Sequence, residues 1–228
     1  PHHSRYREYS RQVNAIYLSY TDLVEPFGIV ESWLDITGSM PLFGGNSREI
    51  ADEIRRRVRE ELGLTLSVGV SFNKVFAKLG SDYRKPDATT LISRENWREI
   101  VHPLPVTDLL FVGRAAADAL RQYGVTTIGQ LSAMDEERLT LLLGKQGRQL
   151  HQYANGLERS AVRPYHAPEP IKSVGNSTTY AQNLTTIAQV RTGIALLCDQ
   201  VAMRLRRHGL YCSGVQVVIK DPQFKTIS

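Results

Sequence analysis

Apolar positions in the first twenty residues recur at three- and four-residue steps: Tyr6, Tyr9, Val13, Ile16, Tyr17 and Tyr20. That spacing sets them on one face and predicts a helix over 4–20. Two strand-like runs follow, around 23–27 and 31–37, with Gly28 between them; Trp33, Leu34 and Ile36 give the second the pattern of a half-buried strand. A helix is predicted over 47–62, with Ser47 as N-cap and Glu49 and Asp52 in its early turns. The apolar, β-branched run 66–72 reads as a buried strand. Helical spacing returns over 73–83 through Val75, Phe76 and Leu79, before a short strand at 89–92 and a helix near 95–100. Residues 1–101 therefore predict an α+β unit, one sheet with helices packed on it.

The texture changes at His102-Pro103-Leu104-Pro105. From there to Ala161 every periodic segment is short and helical, punctuated by glycines at 113, 124, 129, 144, 147 and 156. An all-helical domain over 102–162 follows from this. The proline-rich stretch up to Ile171 marks 163–171 as a linker. Beyond it, 172–228 predicts a strand (172–180), a long helix (about 186–208) and a strand (215–220), a β-α-β unit with an incomplete sheet. The whole is a multi-domain α+β chain.

Composition adds exclusions. The chain has 228 residues, 42% apolar and 22% charged, which is ordinary for globular domains. No run approaches the ~18 apolar residues of a membrane span, and no signal peptide opens the sequence. Cys198 and Cys212 lack metal-ligand spacing, and no histidine, His2-His3 included, belongs to a zinc pattern. A reducing cytoplasm is the expected location. The sequence starts at Pro1 rather than Met and stops at Ser228 just after a strand-like run, so both ends read as cut. Net charge is +5, but residues 1–101 hold 14 Lys/Arg against 14 Asp/Glu, and 102–228 hold 14 against 9. The whole excess lies in the second half, which fits either a polyanion partner or a merely soluble basic surface.

Two stretches there look like helix-hairpin-helix elements: 109–114 (LLFVGR) leading into 115–123, and 141–148 (LLLGKQGR) leading into 149–154. In each, a glycine turn feeds a helix N-terminus, whose free N–H groups and dipole form a phosphate site indifferent to base identity. Gly113, Gly144 and Gly147 would admit the phosphate, while Arg114, Lys145 and Arg148 add charge. Two ordinary αα-turns are the alternative; their pairing in the basic half favours DNA. Phe111 stands where such hairpins usually have glycine. Upstream, Lys74 and Lys78 form an i,i+4 pair and Lys85 precedes Pro86, a set that suits either a polyanion or a solvated helix face. Arg204, Arg206 and Arg207 close the long helix, either near a phosphate backbone or as complements to the helix C-terminus.

Taken in order, 22–39 (DLVEPFGIVESWLDITGS), 67–86, the Gly113 hairpin and 172–179 (KSVGNSTT) resemble the DinB-like Y-family of translesion DNA polymerases, over essentially the whole chain. The resemblance implies a partial palm (1–101), a thumb (102–162) and a partial little finger (172–228), with the segment bearing the first metal-binding aspartate outside these residues. It implies primer-template DNA and a dNTP as partners, Mg²⁺ as cofactor, and a sliding clamp reached, if at all, through a segment absent here. Lys85 resembles the lysine that contacts the incoming triphosphate. Glu31 resembles the glutamate of the S-x-D-E motif, which appears here as Gly28-Ile29-Val30-Glu31. Valine cannot ligate a metal, and Asp35 lies about 13 Å further along an extended strand. The expectation is a chain that binds DNA with a remnant catalytic site; the alternative is a non-catalytic DNA-binding homologue.

Overall fold

A computed structural model describes residues 2–168 and 170–228, leaving Pro1 and Glu169, the latter inside the predicted linker, outside the described residues. The chain forms two compact units, 1–167 and 168–228.

The first unit begins with α1 (His3–Leu18), whose inward face carries Ile16 and a half-buried Tyr17. A short antiparallel pair follows, β1 (Val24–Pro26) and β2 (Ser32–Leu34), registered Val24 opposite Leu34 and Pro26 opposite Ser32. α2 (Ser47–Leu62) has the bounds that the sequence predicts, but its N-cap lies one residue earlier. Asn46, not Ser47, is its N-cap, because Asn46 has extended backbone and its side chain accepts from the N–H groups of Arg48 and Glu49 at 3.0 and 3.4 Å. Then come β3 (Val68–Ser71), α3 (Lys74–Tyr83), β4 (Thr89–Ile92) and α4 (Trp97–Val101). β3 and β4 pair in parallel.

The single sheet expected over 1–101 is thus two separate two-stranded ladders. The mixed class stands, but β1 and β2 hold three residues each and, among the described residues, pair with each other alone. The β3–α3 contact is unusually close. A Cβ on Gly69 would lie 1.9 Å from the Ala77 carbonyl oxygen, so only glycine lets the strand pass under the helix.

Four further helices complete the unit: α5 (Arg114–Arg121), α6 (Ile128–Ala133), α7 (Glu136–Leu143) and α8 (Lys145–Ala154). Their apolar faces join one buried cluster with α3, β4 and α4, running through Phe76, Ile92, Trp97, Leu120, Leu131, Leu139 and Leu150. A second cluster, built on Ile16, Tyr20, Ile50, Ile54 and Val58, sits between α1 and α2. The first part of the predicted linker is tied down: Arg163 N–H donates to Glu25 (2.9 Å) and Tyr165 N–H to the Asp22 carbonyl (3.1 Å).

In the second unit, α9 (Ile187–Arg207) opens with a capping box, Thr186 accepting from Gln189 N–H and the Gln189 side chain reaching back. The strand expected over 172–180 does not form. Instead the Arg204 guanidinium donates to the Gly175 carbonyl (2.6 Å) and the Asn176 side-chain oxygen (3.3 Å), so side chains of α9 hold this segment where a ladder would. The strand expected at 215–220 shrinks to β5 (Ile219–Lys220), paired antiparallel with β6 (Thr226–Ile227). Among the described residues the unit is therefore an irregular arm, a helix and a small hairpin, not β-α-β. No helix among the described residues is long and apolar enough to cross a membrane.

Candidate nucleic-acid interface

At both predicted motifs a glycine precedes a helix N-terminus; the second lies between two α-helices, whereas the first follows a three-residue 3-10 turn (Val106–Asp108). In the first, Gly113 is the N-cap of α5, and Ala117 N–H already donates to its carbonyl (3.0 Å), so the N–H groups of the first turn point out along the axis. A Cβ built on Gly113 would meet nothing within 4 Å, which leaves this approach open. Arg114 is almost fully exposed and makes a loose contact to Asp118 at 3.9 Å. In the second, Gly144 (φ 64°) reverses the chain between α7 and α8 in a backbone conformation that favours glycine. Lys145 is exposed and forms no ion pair among the described residues. Arg148 is held by Glu136 at 2.9 Å, and Glu136 also lies 3.5 Å from His151 Nδ1.

Gly147 departs from its expected role. It is buried, and a Cβ there would lie 2.0 Å from the Leu139 carbonyl oxygen. It allows α8 to cross α7 closely; the open face at this turn belongs to Gly144. The two hairpins are also joined. Gln146 Nε2 donates to the Phe111 carbonyl (2.8 Å), and a shallow basic groove lies between them, lined by Phe111, Lys145, Gln146, Arg148, Gln149 and Gln152. Phe111 itself has φ 71°, the left-handed region in which glycine is at home.

The S-x-D-E-like stretch is the turn of the β1–β2 hairpin: the N–H groups of Phe27 and Gly28 both donate to the Glu31 carbonyl, at 2.9 and 3.3 Å. Val30, at its tip, is 82% exposed. Glu31 reaches Lys78 Nζ at 3.1 Å; Lys78 also pairs with Asp82, which pairs with Lys85 at 2.5 Å. Lys74 and Lys78, open in the sequence to either a polyanion or solvent, each already have a carboxylate partner. Burial alone would lower Lys78, but Asp82 and Glu31 outweigh it and hold the ammonium above its usual range. Burial would likewise raise Asp82, but Lys78 and Lys85 keep its carboxyl below the usual range. Asp35 accepts from Thr37 N–H (2.9 Å), a local turn contact.

A pair of Mg²⁺ ions needs several hard carboxylate oxygens converging on it. Here Val30 offers none, Glu31 is committed to a lysine, and no group of three or more His, Cys, Asp or Glu among the described residues could hold a metal. These residues do not fit a two-ion site.

Sequence reasoning missed one buried ion pair, because its members are distant in the chain. Glu25 meets Lys74 Nζ at 2.6 Å, with both side chains nearly buried, and Arg163 adds contacts from 138 residues away. The Lys74 ammonium also lies 5.3 Å from the Trp33 ring centre, and the Trp33 indole N–H donates to the Lys74 carbonyl (3.0 Å). Burial pushes the Glu25 carboxyl up, but Lys74 and Arg163 more than reverse this and hold it below the ordinary 4.5. A depressed carboxyl contributes stability that is fully present above its unfolded value and is lost as pH falls through the folded one. Acid unfolding monitored by circular dichroism should therefore show stability falling below about pH 4.5, and Glu25→Gln should flatten that dependence while costing about 3 kcal/mol at neutral pH.

Residues 1–82 match the impB/mucB/samB family and 171–228 the C-terminal domain of the same family. A DNA polymerase IV of Acetivibrio thermocellus is 47% identical over 225 residues, covering 99% of this chain and 56% of that protein. DNA polymerase IV 1 of Bacillus subtilis is 36% identical over 228 residues, covering all of this chain and 54% of that one. The chain thus spans about half the length of these relatives. Among solved structures, a Y-family DNA polymerase chimera superposes with a TM-score of 0.79 at 18% identity, over 98% of this chain and 63% of its own. DinB from Sulfolobus solfataricus gives 0.64 at 23% identity, over 71% and 48%. Two family matches that bracket the chain, relatives along its whole length and a shared fold lead to one assignment: the chain belongs to the DinB-like Y-family DNA polymerases.

Proposed function

We propose that this chain is the DNA-gripping portion of a translesion DNA polymerase, binding primer-template DNA through phosphate contacts and impaired in nucleotidyl transfer. In this reading 1–101 is the later palm, 102–162 the thumb and 172–228 the start of the little finger. The observation that carries it is the joined pair of helix N-termini, α5 behind Gly113 and α8 behind Gly144, with Arg114 and Lys145 exposed beside them. Aligned peptide dipoles and first-turn amides hold phosphate without reading bases, as a polymerase that moves along its template requires. Lys85, partly exposed and paired with an aspartate at the surface, can exchange that partner for the triphosphate of a dNTP. The chemistry that relatives carry out needs a reacting centre positioned and charge-balanced. Val30 and the Lys78-bound Glu31 supply neither.

Fluorescence anisotropy with two primer-templates of unrelated sequence, at several salt concentrations, tests the binding. Affinity should be equal for the two duplexes and fall with a slope of roughly 0.9 per phosphate contact on logarithmic axes. An affinity flat across salt, or confined to one sequence, would contradict it. The exposed Val30 also favours a second reading, a homologue that has given up catalysis and retains DNA binding.

A further inference from the structure

Phe111 combines three features that ordinary packing does not require together. Its backbone is left-handed (φ 71°), a conformation uncommon and costly for a bulky residue. Its carbonyl accepts from Gln146, at the start of α8. Its ring, half exposed, lies 6.2 Å from Tyr153 of α8 and 6.4 Å, edge to face, from Phe27 beside the β1–β2 turn. Phe27 in turn packs against Trp33 with ring centres 4.6 Å apart and the rings tilted by 47°. These separations lie within the range in which aromatic pairs attract. A glycine here would satisfy the backbone, and the hairpin hydrogen bond needs only the carbonyl. What phenylalanine adds is the ring, which bridges the two helical hairpins to the turn carrying Val30 and Glu31.

From this we infer that Phe111 is a positioning residue that couples DNA occupancy at the α5 and α8 N-termini to the β1–β2 turn. A phosphate drawn onto the Gly113 turn shifts the residue two positions before it. The ring transmits that shift to Phe27 and so to the surroundings of Trp33. The inference rests on the DNA-binding reading above, and its test separates the two.

The chain has two tryptophans, Trp33 and Trp97, so Trp33→Phe supplies the blank for emission from Trp33. Labelled primer-template DNA reports binding by anisotropy while Trp33 emission is followed in the same titration. In the unaltered chain, emission should change with the same midpoint as anisotropy. Phe111→Gly, whose backbone suits the left-handed turn, should still show an anisotropy change at saturating DNA but lose the emission change. Phe111→Tyr, which retains a ring, should restore it. A structural role alone would lower the melting temperature of the glycine variant and leave the emission response in place, which overturns the coupling. Anisotropy without any emission change in the unaltered chain overturns the coupling alone. No anisotropy change at all overturns the DNA-binding reading and the coupling with it.

Discussion

Val30→Asp should raise the rate of primer extension by about 10²–10³-fold or more, the scale on which one preorganised electrostatic group acts in a reacting centre. The comparison belongs in a full-length setting: a chimera in which these 228 residues replace the matched stretch of the Acetivibrio thermocellus DNA polymerase IV, carrying valine or aspartate at position 30. The substitution should leave the fold untouched, since Val30 stands 82% exposed at a turn tip. Aspartate is in fact the better turn residue. Melting temperatures of the two chimeras should agree, so a rate difference reports chemistry. In the 228-residue chain the same change should produce no extension. Equal rates from the two chimeras would show that a carboxylate at position 30 is dispensable and that the account of this turn is mistaken.

Gly147→Val should unfold the first unit more readily, by about 3 kcal/mol, because the new side chain would drive into the Leu139 carbonyl and no rotamer moves a backbone oxygen. For a unit of this size that is a fall of roughly 10 °C in thermal melting. Gly113→Val is the counterpart. Its Cβ meets nothing within 4 Å, so stability should change by about 1 kcal/mol or less while DNA affinity drops. The two glycines look alike in sequence, each near a basic residue at a hairpin. A melting temperature unmoved by valine at position 147, or DNA affinity unmoved by valine at position 113, would reverse the roles assigned to them.

That pair illustrates where the sequence is legible. Helical periodicity located α1, α2, α3 and α9 to within a few residues, because the apolar face of a helix repeats locally. Strands fared worse. The run 172–180 has strand-like composition, but a strand exists only where another backbone completes its ladder, and here Arg204 of α9 holds it at Gly175 and Asn176 instead. The single expected sheet failed for the same reason, since pairing is not a local property. In the candidate site, the glycine turns and their neighbouring cations were legible as motifs. The partners of Lys74 and Lys78 were not: Glu25 lies 49 residues from Lys74, and the Glu31 carboxylate reaches Lys78 only once β2 and α3 are packed. Phe111 was visible as a departure from glycine, while its left-handed backbone and its ring contacts required the fold.

In the proposed binding mode, backbone amides at two helix N-termini hold the phosphates. The amide spectrum of the ¹⁵N-labelled chain, recorded while a short primer-template duplex is added, tests it most directly. The account predicts that the largest and earliest shifts fall on Arg114 and Ala115 at the start of α5 and on Lys145 and Gln146 at the start of α8, with the same pattern for a duplex of unrelated sequence and smaller shifts as salt rises. Shifts confined to other surfaces, with these four amides unmoved at saturating DNA, would contradict it.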